Sequence, residues 1–136
     1  MKKHMALSIL ILPIAILLNG CALGVTNLRV EHSPLFAPAH KKPGTLIVRT
    51  FVDNRTQDKQ FIGNKRNGFG MVLGNFGVRD GKRVDLLVTE YFVEALQASG
   101  YNAVIQNQGA LPAGLEPIGI VEGQINEFWL DLYMAT

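Results

Sequence analysis

The sequence predicts a mixed α/β domain: a small mixed sheet with a β-α-β crossover, one amphipathic helix over about residues 85–99 packed on it, and a long C-terminal antiparallel strand. Three observations predict it. The run 45–52 (TLIVRTFV) is dense in β-branched and aromatic side chains, residues 88–96 repeat their apolar positions at helical spacing, and residues 118–133 alternate apolar with polar. Ahead of the domain lie a targeting segment (1–20) and an irregular tether (21–44), so the 136 residues hold a single α/β domain, 45–136.

The chain opens with Lys2 and Lys3, and residues 6–18 are apolar or small apart from Ser8 and Pro13. This is the length of a signal-peptide core, short of the roughly 20 apolar residues a membrane-crossing helix needs. The run closes on Leu18-Asn19-Gly20-Cys21, which carries the only cysteine of the chain. That tetrapeptide resembles the lipobox of bacterial lipoproteins, with an aliphatic side chain three residues before the cleavage point and a small one just before it. The resemblance implies cleavage between Gly20 and Cys21, a diacylglyceryl thioether on the Cys21 sulfur and acylation of the freed amine. A cysteine suits this chemistry because its thiolate is a strong nucleophile under mild conditions. Ala22, where an aspartate favours inner-membrane retention in enteric-type bacteria, points to the outer membrane, facing the periplasm.

Residues 22–44 show no period and are punctuated by Pro34, Pro38 and Pro43, hence the expected tether. His32 and His40, eight apart with no cysteine or paired carboxylates nearby, read as solvated loop histidines rather than metal ligands. The strand 45–52 carries apolar side chains on both faces, as an interior strand does, and ends at the turn pair Asp53-Asn54. A Gly/Asn-rich region follows to about residue 83, with short extended pieces near 71–73 and 76–78 joined by a Gly74-Asn75 hairpin turn. Asp85 is the expected N-cap, with Val88, Tyr91, Phe92, Ala95 and Leu96 as the buried stripe, Glu90, Glu94 and Gln97 mostly off it, and Gly100 as the C′ glycine. A short strand occupies 101–106. In the last segment Val121, Gly123 and Ile125 share a face, but beyond Glu127 the apolar set moves to Phe128, Leu130 and Leu132, a shift that a β-bulge near Glu127 explains.

Several stretches together resemble the YajG-type lipoproteins of Gram-negative bacteria, themselves distantly similar to auxiliary lipoproteins of lipid-transport systems. They are Cys21, the strand ending FVDNR (51–55), Ile62-Gly63 with NGFG (67–70), ALQASGY (95–101) and GQINEFWLD (123–131). They span most of the mature chain and are mainly structural signatures, and the family offers no enzymatic activity to carry over. Its pattern continues past the Phe-Trp-x-Asp strand into at least one more strand, which implies that this chain, ending at Thr136, is shortened relative to the pattern.

Charge and motifs exclude several functions. Removing Lys2 and Lys3 from the thirteen Lys/Arg leaves eleven, equal to the eleven Asp/Glu, so the mature part lacks the excess positive charge of a nucleic-acid binder. Residues 63–68 have the spacing of a P-loop start, but Phe69-Gly70 replaces the lysine and hydroxyl that hold phosphate and magnesium. Gly68 and Gly70 begin a dinucleotide fingerprint that Leu73 breaks. There is no Gly-x-Ser-x-Gly elbow, both mature-chain histidines fall in the tether, and Asp53, Glu127 and Asp131 sit at strand ends where turn-capping is common. No nucleotide, metal or cofactor is expected, and the protein is predicted not to be an enzyme.

What remains are contact residues. Asp53, Asn54 and Arg55 either present a polar surface to a partner or close a turn, and the turn role is favoured. Lys65 and Arg66 either meet lipid headgroups or peptidoglycan or are solvated loop charges. Trp129 is a candidate binding aromatic, because it and Phe128 are strand neighbours facing opposite sides. The expected role is non-enzymatic: a lipoprotein held on the membrane through Cys21 that binds or assembles cell-envelope components, with an envelope protein as partner. The alternative is an accessory lipoprotein of an ABC-type lipid-transport system.

Overall fold

The structure is a computed structural model and describes residues 23–31, 33, 40–107 and 116–134. The signal segment, Gly20, Cys21, His32, Pro34 and Pro38 lie outside the described residues. Among the described residues, nine strands, one α-helix and a 3-10 turn follow in the order β1 (Gly24–Leu28), β2 (Thr45–Val48), β3 (Val52–Asp53), β4 (Gly63–Arg66), β5 (Val72–Val78), the turn Arg79–Gly81, α1 (Val84–Ala98), β6 (Asn102–Ile105), β7 (Gly119–Val121), β8 (Gln124–Ile125) and β9 (Leu130–Tyr133). The α/β class is as predicted.

The strands form a four-stranded sheet ordered β1-β5-β4-β9, a three-stranded sheet ordered β6-β2-β7, and the pair β3-β8. In the second sheet β2 lies between two parallel neighbours, and its Ile47 and Val48 are both buried, as an interior strand requires. The path from β2 through α1 to parallel β6 is the predicted crossover. The helix lies over both larger sheets. Its Val84 and Leu87 join Ile62, Phe76, Val78 and Ile125 in one core cluster, while Val93 joins Val48 and Ala103 in another. Phe51 packs against both clusters and links them.

Several expectations are corrected. The stretch 24–28, read as tether, forms β1, which pairs in parallel with β5 from Gly24 opposite Gly74 to Leu28 opposite Val78. It is held further by Leu28 and Val30 packing on the core and by the Tyr91 hydroxyl donating to the Val30 carbonyl. Gly74-Asn75 is not a turn but the interior of β5. Gly74 is needed because the Gly24 carbonyl oxygen lies 2.2 Å from where a Cβ would stand, a strand glycine that admits a neighbouring backbone. The hairpin turn is instead 67–71, where the Asn67 side chain accepts from the Phe69 and Met71 amides at 3.0 and 2.9 Å.

The C-terminal segment is parallel, not antiparallel, and is broken into three strands that pair in turn with β2, β3 and β4. Alternation specifies which face a side chain takes but not strand direction, so the pattern left direction undetermined. The change of face beyond Glu127 is a change of partner between β8 and β9, with Phe128 turning into the first core cluster, rather than a bulge. In the helix, Arg83 holds the N-cap position and Asp85 lies inside the first turn. Leu87, Thr89 and Val93 are buried, Val88, Tyr91 and Leu96 are half-buried, and Phe92 is 37% exposed, its ring tilted 53° against that of Phe51 with centroids 5.3 Å apart. The stripe is thus rotated towards residues 85, 89 and 93. Gly100, with φ of 90°, ends the helix as expected.

Candidate functional site

Parallel strands bring their carboxyl ends to one place, and in open α/β sheets the crevice beyond those ends is where ligands commonly sit. Here β2, β6 and β7 end beside the start of α1, around an open cleft of about 1570 Å³. Its walls come from 49–53 after β2, Asn107 after β6, 122–124 from the end of β7 into β8, the 81–86 entry to the helix, and Lys59-Gln60. The break between β2 and β3 shapes it. Arg49 and Val52 donate their amides to the carbonyls of Val121 and Gly123, while the Phe51 amide turns to the Thr89 hydroxyl at 2.9 Å. Thr89 in turn donates to the Asp85 carbonyl at 2.6 Å, so one fully buried hydroxyl ties the strand break to the helix.

Three ion pairs and one lysine bound to a backbone carbonyl flank the cleft. Arg49 meets Glu122 at 3.1 Å, Lys59 donates to the Asp53 carbonyl at 2.7 Å, Arg83 pairs with Asp85, and Lys82 with Glu90. Asp85 also accepts from the Leu86 amide at 3.0 Å, placing a carboxylate on the positive end of the helix dipole. The one hydroxyl among the described lining residues, that of Thr50, donates to the Asn107 side chain at 2.6 Å. The cleft therefore offers a polar surface of largely paired charges, suited to hydrogen-bonding a polar partner.

Of the contact candidates, Arg55 is only 3% exposed, and all its donors are used internally. Its Nε and one terminal nitrogen hold the Asp53 carboxylate at 2.9 and 2.8 Å. The carbonyls of Phe61, Phe128 and Lys59 take the rest at 2.9, 3.3 and 3.1 Å. The guanidinium fork thus ties the end of β3, the 59–61 loop and the approach to β9 together, as the turn-closing reading expects. Hydrogen bonds from Arg55 hold the Asp53 carboxyl below its ordinary value against the opposing effect of burial. Asn54 is exposed and donates to Gln124 at 3.1 Å, and Trp129 is half-buried. Asp53, Asn54 and Arg55 are thus brought together, and Trp129 lies beyond them along the C-terminal segment.

Lys65 and Arg66 are not free solvated charges. Lys65 is buried on β4, its ammonium donating to the Gly24 carbonyl at 3.3 Å and lying 5.8 Å from the Phe76 ring centre. Arg66 pairs with Asp131 at 3.1 Å and donates to the Gly70 carbonyl at 2.9 Å. Sequence reasoning missed Thr89, although its spacing four residues from Asp85 and from Val93 places it on the same helix stripe.

A second surface is an edge. Among the described residues β7, β8 and β9 each pair on one side only. Leu130 and Met134 donate their amides to Ile62 and Arg66 of the β4 side, which by strand alternation aims the backbone groups of Asp131 and Tyr133 outward. Ile120, Leu130, Leu132 and Tyr133 are exposed along it. Among the described residues no helix is long and apolar enough to cross a membrane, and no three candidate metal ligands come together. No family model, curated protein or solved structure matches the chain.

Proposed function

We propose that this chain is a membrane-anchored bacterial lipoprotein of the YajG type, non-enzymatic, that binds or assembles components of the cell envelope from the periplasmic side of the outer membrane. The observation that carries the reading is Leu18-Asn19-Gly20-Cys21 at the close of a signal-peptide core, with the sole cysteine of the chain at the acceptor position. The one-sided pairing of β9 supports the binding part. Its unpaired amides and carbonyls suit an extended segment of an envelope protein that adds as a further strand, with main-chain hydrogen bonds giving affinity and the exposed Leu130 and Leu132 giving side-chain contact. The paired charges of the cleft favour a protein surface over acyl chains, which ranks the lipid-transport alternative second.

The test is photo-crosslinking in growing cells, with the crosslinker placed at Leu132 on the edge or at Glu94 on the exposed side of α1. A discrete adduct from position 132 and none from position 94 is expected. Equal labelling from both positions, or none from either, removes the strand-addition partner.

A further inference from the structure

The four-stranded sheet has one end at which four chain segments meet. Gly24 lies opposite Gly74, Gly74 opposite Lys65, and Lys65 opposite Leu132. One step further out, Val72 lies opposite Arg66 and Arg66 opposite Tyr133. Beyond that row are Leu23, which leads into β1, and the β4–β5 turn carrying Phe69 and Met71. Leu23, Phe69, Met71, Val72 and Tyr133 are all more than half exposed, Phe69 to 86%. The turn that presents Phe69 is held by the Asn67 side chain and by the Arg66 bond to the Gly70 carbonyl, so the ring is projected by a fixed loop.

We propose that this end of the sheet, centred on Phe69, is the surface that rests in the membrane, dipping into the headgroup region of the bilayer that holds the lipid on Cys21. The proposal rests on the lipoprotein reading. Cys21 lies three positions before Gly24, and three residue steps span at most about 11 Å. The lipid is therefore attached beside this end of the sheet and not beside its far end. Across the stretches 23–28, 63–72 and 130–134 the sole carboxylate is Asp131, neutralised by Arg66 at 3.1 Å, so no unpaired negative charge opposes entry among headgroups. Aromatic and aliphatic side chains on a polar frame with one positive charge in excess, Lys65, match the interface, where apolar groups settle about 5–10 Å into the headgroup and acyl boundary.

The test uses the lipidated full-length product in vesicles of phosphatidylethanolamine and phosphatidylglycerol. Thioether formation leaves Cys21 without a free thiol, so Phe69→Cys and, separately, Arg79→Cys each supply one site for an environment-sensitive fluorophore. Both positions are exposed. Arg79 directly follows the seven-residue β5, roughly 23 Å from the turn at about 3.3 Å per residue. The expected result is a blue shift and quenching by spin-labelled lipid at position 69, with neither at position 79. A vesicle-bound, lipidated protein whose position 69 stays in water overturns the membrane surface and leaves the lipoprotein reading intact. A blue shift at position 69 already present without vesicles assigns that end to a protein neighbour and also overturns it. Absence of lipid on Cys21, read by mass, removes the lipoprotein reading and this proposal with it.

Discussion

Replacing Arg55 with alanine leaves the mostly buried Asp53 carboxylate without its counter-charge and three backbone carbonyls without a donor. Breaking one side of a buried pair costs about 3–5 kcal/mol. Urea denaturation of Arg55→Ala is expected to show a loss of that size, and Arg55→Lys to recover little of it, because an ammonium lacks the planar fork. The same pair sets an acid limit. Asp53 titrates below its ordinary value of 3.8 in the folded state, chiefly through the Arg55 hydrogen bond. Above that value the carboxylate is ionised in both states and its contribution is complete. Below it the unfolded chain takes up the proton first, and the contribution drains away as pH falls through the lowered folded value. Stability measured between pH 5 and 2 should fall more steeply for the wild type than for Asp53→Asn, and parallel curves would exclude this pair as a source of acid sensitivity. The turn-closing role of these residues was legible from the Asp-Asn-Arg order. The burial of Arg55 was not, because three of its acceptors are backbone carbonyls that carry no residue signature.

At the scale of elements, the helix was legible in position and ending, and misread in rotation. Counting only apolar residues weighted Phe92 and discounted Thr89, whose hydroxyl is consumed by Phe51 and Asp85. Thr89→Val keeps the shape but strands the Phe51 amide, for an expected loss of about 1–3 kcal/mol. Leu87→Ala should cost about 2–5 kcal/mol. Phe92→Ala removes a partly exposed ring whose aromatic pairing contributes about 0.5–1.5 kcal/mol beyond burial, so its loss should be the smaller. Thermal melts in which Phe92→Ala is the more damaging would restore the original phase. The β4–β9 pairing has its own test. A Cβ at Gly63 would stand 2.0 Å from the Leu130 carbonyl oxygen, so Gly63→Ala should separate β9 from β4 and accelerate amide exchange at Leu130 and Met134. The glycines of this region looked like loop punctuation because close backbone approach and turn formation call for the same residue.

For the whole molecule, the sequence carried the class and the crossover, while parallel direction depended on long-range pairing that alternation does not encode. In a dilute monomeric sample, amide exchange along β9 should alternate, slow at Leu130 and Met134 and fast at Asp131 and Tyr133. Uniform protection would mean the edge is covered. The proposed membrane anchor stands apart from the fold, since the proposal rests on Leu18-Asn19-Gly20-Cys21 alone, and everything proposed about partner and membrane surface depends on it. Its most direct test is the intact mass of the protein recovered from membranes of a Gram-negative host, alongside Cys21→Ala. The account predicts a mature chain beginning at Cys21 and heavier by a diacylglyceryl group and an amide-linked acyl chain, with Cys21→Ala remaining as the unlipidated precursor from Met1. A wild-type chain that carries no lipid, or lipid equally present on Cys21→Ala, would contradict it.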